Sequence, residues 1–66
     1  MKVKCELVDV GDGYRKYHIL LENGMTEFII VTDQDCRNVR MSELDLLQRM
    51  IEEFAERYGI ENIEVV

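Results

Sequence analysis

Few side chains in this sequence could do covalent chemistry, and their spacing keeps them apart. The thiols are Cys5 and Cys36, and the only imidazole is His18. A cysteine nucleophile needs a base within hydrogen-bond reach and an electropositive setting that favours the thiolate. Cys36 is flanked by Asp35, which opposes such a setting, and by Arg37, which favours it. His18 falls mid-strand on the opposite face from Cys5. No C-x-x-C pair is present, so neither a zinc site nor a dithiol redox motif can be assembled. The expectation is two reduced thiols, with Cys36 in an ordinary polar loop, and a surface histidine with Glu6 as its cross-strand neighbour.

Three further patterns fall short of sites. Asp33-Gln34-Asp35 begins like a calcium loop, but Cys36, Arg37 and Asn38 follow where oxygen ligands and a glycine are needed. It reads as a solvated loop. Arg37 and Arg40 precede a helix start, where free N–H groups hold anions. Ser42 already caps that helix, and Glu43 and Asp45 crowd its first turn. Gly11 and Gly13 resemble the opening of a dinucleotide fingerprint, but the third glycine is missing and a strand follows. No catalytic residue, metal ligand or cofactor is therefore expected, and the chain is read as a non-enzyme.

The elements that position these residues are marked by turn signals. Asn23-Gly24, read as a two-residue type I′ hairpin, pairs Glu22 with Met25, Ile19 with Phe28 and Tyr17 with Ile30. A three-residue loop at Gly11-Asp12-Gly13 pairs Val10 with Tyr14, Leu7 with Tyr17, Cys5 with Ile19 and Val3 with Leu21. The apolar residues Val3, Cys5, Leu7, Tyr17, Ile19, Leu21, Phe28 and Ile30 then share one face. A two-residue loop at the first turn is rejected because it opposes Glu6 to Ile19, and a one-residue slip reverses every side chain.

Ser42 is an N-cap residue, and Leu44, Leu47, Ile51, Phe54, Ala55 and Tyr58 follow at helical spacing. Gly59 fits the C′ position, with Ile60 as its hydrophobic contact. The spacing predicts a helix over 43–58 and a short strand over 60–66. That strand lies either parallel to the third strand or beside the first. The apolar run Ile29-Ile30-Val31 favours an interior third strand and so the former. The expected fold is α+β: one domain, 1–66, with an antiparallel three-stranded meander, one amphipathic helix on one sheet face, and a C-terminal strand (βββαβ).

Composition bounds the partners. Fourteen acidic residues against eight basic ones give a formal net charge of −6, and the basic residues are scattered. This opposes binding to nucleic acid phosphates. No apolar run approaches the roughly 20 residues of a membrane span. The start alternates charged and apolar residues rather than forming a signal peptide, so a cytoplasmic location is expected. No small-molecule ligand is inferred.

What remains is surface. The derived outer face of the sheet carries Val8, Tyr14, Lys16, His18, Leu20, Ile29 and Val31, too apolar for a wholly solvated face. Leu46 and Met50, off the core stripe of the helix, form a second candidate surface. The expected function is a small acidic protein-interaction or regulatory module, homodimeric through the outer sheet face. The alternative is a nucleic-acid-related module in which Tyr14, Lys16 and His18 stack and steer single strands on the same face.

Overall fold

The computed structural model describes residues 1–66. In chain order the elements are β1 (Lys2–Gly11), β2 (Tyr14–Leu21), β3 (Thr26–Thr32), α1 (Asp33–Val39), α2 (Glu43–Arg57) and β4 (Glu64–Val65). The class is α+β, with a mixed four-stranded sheet ordered β3-β2-β1-β4. β1, β2 and β3 are antiparallel neighbours, whereas β4 runs parallel to β1. The final strand thus joins the first strand, not the third, and β3 is an edge. The apolar run in β3 had pointed to an interior strand. Its apolar residues instead divide between two faces: Ile29 and Val31 are buried in the core, while Phe28 and Ile30 are exposed.

The first hairpin reaches the expected pairing by another route. Its turn is the rejected two-residue one, Asp12-Gly13, closed by Gly11 opposite Tyr14, with Gly13 at φ +78°. The register shifts between Leu7 and Asp9, where Val8 is the extra residue of a β-bulge. The bulge restores Leu7 to Tyr17, Cys5 to Ile19 and Val3 to Leu21. It also places Val10 opposite Arg15 rather than Tyr14. Gly11 is required here, because the Tyr14 ring occupies the space that a Cβ would take.

The second hairpin differs by one residue from the expectation, with a large consequence. The Gly24 N–H donates to the Leu21 carbonyl at 3.0 Å, and the Leu21 N–H donates to the Met25 carbonyl at 2.9 Å. The loop is therefore Glu22-Asn23-Gly24, a three-residue hairpin ending in a left-handed glycine at φ +89°. Asn23 has no positive φ. Its role is carried by the side chain, whose Oδ1 accepts the Met25 N–H at 3.0 Å. The extra loop residue pairs Tyr17 with Ile29 and His18 with Phe28, so β3 presents the face opposite to the one expected.

A strand end and a loop are expected over Thr32 to Val39, yet α1 forms there. The Thr32 hydroxyl accepts the Asp35 N–H at 3.0 Å, and Asp33 and Asp35 favour the first turn through the helix dipole. The helix stops at Arg40, which takes the left-handed conformation at φ 55°. Cys36 is accordingly a half-buried helical residue packed against the core, not a polar loop cysteine.

α2 begins at Ser42, whose Oγ accepts the Asp45 N–H at 3.2 Å. At its end the Gly59 N–H donates to the Glu56 carbonyl at 3.0 Å and the Ile60 N–H to the Ala55 carbonyl at 2.8 Å. This is a Schellman cap with Gly59 at φ +69°, and Ile60 packs on the core as expected. The buried stripe is Leu46, Leu47, Ile51, Phe54 and Ala55. Leu44 and Tyr58, expected in the core, are exposed. The stripe is rotated toward α1, a helix that was not anticipated. Val39 of α1 borders the same shallow cleft as Leu46 and Met50. Together, Val3, Ile19, Leu21, Ile29 and Val31 from the sheet meet this stripe in one core.

Candidate interaction surface

Cross-strand partners share a face, so the register fixes what lies on the side of the sheet away from α2. β2 contributes Tyr14, Lys16, His18 and Leu20, opposite Thr32, Ile30, Phe28 and Thr26 of β3. β1 contributes Lys4, Glu6, Asp9 and Gly11, opposite Leu20, His18, Lys16 and Tyr14. Lys2 pairs with Glu64 of β4. The outer face is thus graded. The β1–β4 half is charged, whereas the β2–β3 half carries Leu20, Phe28 and Ile30 around Lys16 and His18.

Two of the expected interface residues leave this face. Ile29 and Val31 are 6% and 1% exposed in the core, because the three-residue loop reverses β3. Phe28 and Ile30, expected inside, replace them at 55% and 49% exposure. Val8, the bulged residue, is exposed, and Tyr14, Lys16, His18 and Leu20 are half-buried. Of the second candidate surface, Leu46 is 7% exposed and Met50 is half-buried against the core, both bordering a shallow cleft with Val39. The signal for the missed residues Phe28 and Ile30 is Gly24 itself, which also fits the left-handed last position of a three-residue hairpin.

Phe28 organises its surroundings. The His18 ring lies 5.1 Å from it, centroid to centroid, and the Lys16 ammonium sits 4.5 Å from its centroid. A cation over an aromatic face contributes about 0.5–1 kcal/mol at exposed sites. At the hairpin end, the Tyr14 hydroxyl donates to Asp9 Oδ2 at 3.1 Å. That hydrogen bond, and the Asp9 charge behind it, raise the Tyr14 phenol above its ordinary value.

A separate polar cluster lies on the inner face, where β2 meets the starts of both helices. The Tyr17 hydroxyl donates to Glu43 Oε1 at 2.8 Å. Arg15 Nε is 3.2 Å from the same oxygen, and Arg15 Nη1 is 3.2 Å from Asp33 Oδ1. Asp33 raises the arginine, with Glu43 second. Burial raises the Tyr17 phenol, and the Glu43 hydrogen bond adds to it. The cluster pins α1 and α2 to β2, and Asp33 is used in it as an ion-pair partner.

The sign of its pH dependence follows. A phenol whose native pKa is raised gives stability that is complete below the ordinary tyrosine range and lost as pH rises through the native value. Tyr17→Phe should cost about 0.5–1.5 kcal/mol at neutral pH. In circular dichroism melts the gap between parent and variant should close between about pH 9 and about pH 12, around the ordinary tyrosine pKa. A gap that stays constant across that range would show that no such bond exists.

The other candidates for chemistry are dispersed. Cys5 is half-buried, and burial pushes its thiol up. Asp35 lies in the first turn of α1, Arg37 donates to Gln34 Oε1 at 3.0 Å, and Arg40 closes α1. No group of three or more His, Cys, Asp or Glu side chains is placed to hold a metal ion. A cleft of about 440 Å³ lies at the far end of the face, lined by Lys2, Lys4, Leu20, Leu21, Glu22, Gly24 and Val66. Lys2, Lys4 and Glu22 form no ion pair in it. No helix is long and apolar enough to cross a membrane. Set against known protein families, characterised proteins and solved structures, the chain matches none.

Proposed function

We propose that this chain is a small acidic protein-interaction module, without catalytic activity of its own, that forms a homodimer through the β2–β3 half of its outer sheet face. The observation that carries this reading is the exposure of Phe28 and Ile30 beside Leu20 on an ordered sheet. Contiguous apolar surface on a small domain marks an interface more often than a solvated face. Burying it against a second copy would also add to the core of a domain too small to be very stable alone.

The test is a double variant, Phe28→Lys with Ile30→Lys, compared with Leu44→Lys on the exposed side of α2. Light scattering should show the first as a monomer with its circular dichroism intact and the second still as a dimer. An unchanged mass for the double variant would overturn the reading.

A second reading has one specific observation behind it. Lys16, His18 and Phe28 form a cation–aromatic group on an open sheet, the chemistry with which sheet-based modules stack single-stranded bases. Salt-dependent retention of an oligonucleotide would favour it. The net charge of −6 opposes it, and no sub-micromolar affinity is expected at about 0.15 M salt.

A further inference from the structure

The sheet has two open edges, and they are built differently. β4 pairs only with Lys2 and Val3, so the rest of β1 is an edge. That edge carries Lys4, Glu6, Asp9 and the bulge at Val8. Charges and bulges are the devices that keep an edge strand from pairing with another chain. β3 has no bulge, lysine or proline, and Glu27 is its only charged residue.

The hydrogen-bond parity of β3 shows which groups are free. Its ladder with β2 closes on Leu21 N–H to Met25 at one end and on Asp33 N–H to Gly13 at the other, both 2.9 Å. Antiparallel ladders alternate. Glu27, Ile29 and Val31 therefore direct their backbone groups at β2, whereas Thr26, Phe28, Ile30 and Thr32 direct theirs outward. Two of these groups have local partners: the Phe28 N–H donates to Glu27 Oε1 at 3.0 Å, and the Thr32 carbonyl, at the N-cap, opens α1. The residues with free backbone groups are the ones whose side chains form the apolar end of the face.

We propose that β3 pairs with β3 of a second copy, antiparallel about a two-fold axis at Ile29, joining the two sheets into one. This rests on the homodimer reading above for its second copy and moves the contact from the flat of the outer face to its β3 border, where the Phe28 and Ile30 side chains of the two copies cover one another across the axis and Leu20 lies outside it. The register comes from the strand itself. Centring on Ile29 sets Phe28 opposite the Ile30 of the second copy, a pair that exchanges both N–H···O bonds, and Thr26 opposite its Thr32, which offers its N–H while its carbonyl opens α1. A one-residue shift would oppose outward groups to inward ones. A two-residue shift leaves a strand end unpaired. The Phe28–Ile30 rows are aromatic against β-branched, a favourable cross-strand combination.

One cation at this edge has no partner within the chain. The groove between β3 and α2 is bordered by Met50, Phe54, Glu27, Glu53 and Arg57. Glu53 pairs with Arg49 at 3.3 Å, while Arg57 makes no ion pair within the chain. Arg57 is thus a cation beside the β3 edge that is uncommitted within the chain and available to a carboxylate of a second copy.

Amide hydrogen exchange on the full chain, at a concentration where light scattering gives a dimer, tests the pairing. The comparators are the Cys5 and Leu7 amides, which the same parity argument places on the open side of β1. The Ile30 amide should exchange about 100-fold more slowly than these, as expected for a paired strand, and should lose that protection on dilution. Ile30→Pro removes an N–H that β2 does not use, which an edge strand tolerates. It should be monomeric with native circular dichroism, and if it fails to fold, the exchange result decides. A dimer whose Ile30 amide exchanges as fast as Leu7 would overturn the edge pairing and leave the homodimer standing. A folded Ile30→Pro dimer would overturn it equally, and a monomeric parent would overturn both.

Discussion

Phe54→Ala is expected to leave the chain largely unfolded at ambient temperature. Phe54 is 5% exposed, on the face of α2 that meets the sheet, and its ring stands edge-on to Tyr58 at 5.0 Å between centroids. Truncating a buried phenylalanine costs about 3–5 kcal/mol, from lost transfer energy plus the cavity left behind. A domain of this size has a total stability of the same order, about 3–10 kcal/mol. Glu56→Ala, two residues on and exposed, should change the denaturant midpoint little. Equal losses from the two substitutions would mean that α2 packs by a different face.

The second large effect separates neighbouring residues of β3. Ile29→Lys should prevent folding, because Ile29 faces the core and nothing there can pair with an ammonium. Burying an unpaired charge exceeds about 4 kcal/mol, the range of the most damaging substitutions. In melts at a dilution where the parent is monomeric, Phe28→Lys should cost about 1 kcal/mol or less, the value of one exposed cation–aromatic contact. Thermal melts of the two variants read the register of β3 directly. The register expected from a two-residue hairpin predicts the reverse order, and that order would contradict the structure.

What the sequence made legible depended on whether one signal or several acted at a site. α2 was marked twice at each end, by Ser42 with acidic residues after it and by Gly59 with Ile60 after it, and its bounds came out within a residue. The pairing of β1 with β2 was legible because Val3, Cys5 and Ile19 had to share a face. The route to it was not, since a two-residue turn plus a bulge at Val8 gives the same result as a three-residue turn alone. β3 was the costly failure. Its residues 28–31 are all apolar, so alternation could not choose a face, and the choice passed to the turn. There Asn23 acts through its side-chain carbonyl rather than through a positive φ, and the register moved by one.

The candidate surface inherited that error. Tyr14, Lys16, His18 and Leu20 stayed on the outer face because β2 was placed correctly, whereas Ile29 and Val31 exchanged places with Phe28 and Ile30. Leu46 lies off the stripe that helical spacing gives α2 alone, and α1, expected as a loop, borders that side of α2. Thr32 with Asp35 three residues later is an N-cap pattern of the kind that was recognised at Ser42. At seven residues, without a glycine stop, α1 lacked the length and the ending that made α2 plain. The apolar side chains that no helix covers are visible only once both helices are in place.

The central claim, a homodimer through the β2–β3 side of the sheet, is tested most directly by the mass of the unmodified protein in solution. Light scattering at about 100 μM, well above the dissociation constant of a stable nanomolar dimer, should give twice the chain mass of 7.8 kDa. A mass of a single chain at that concentration would contradict it.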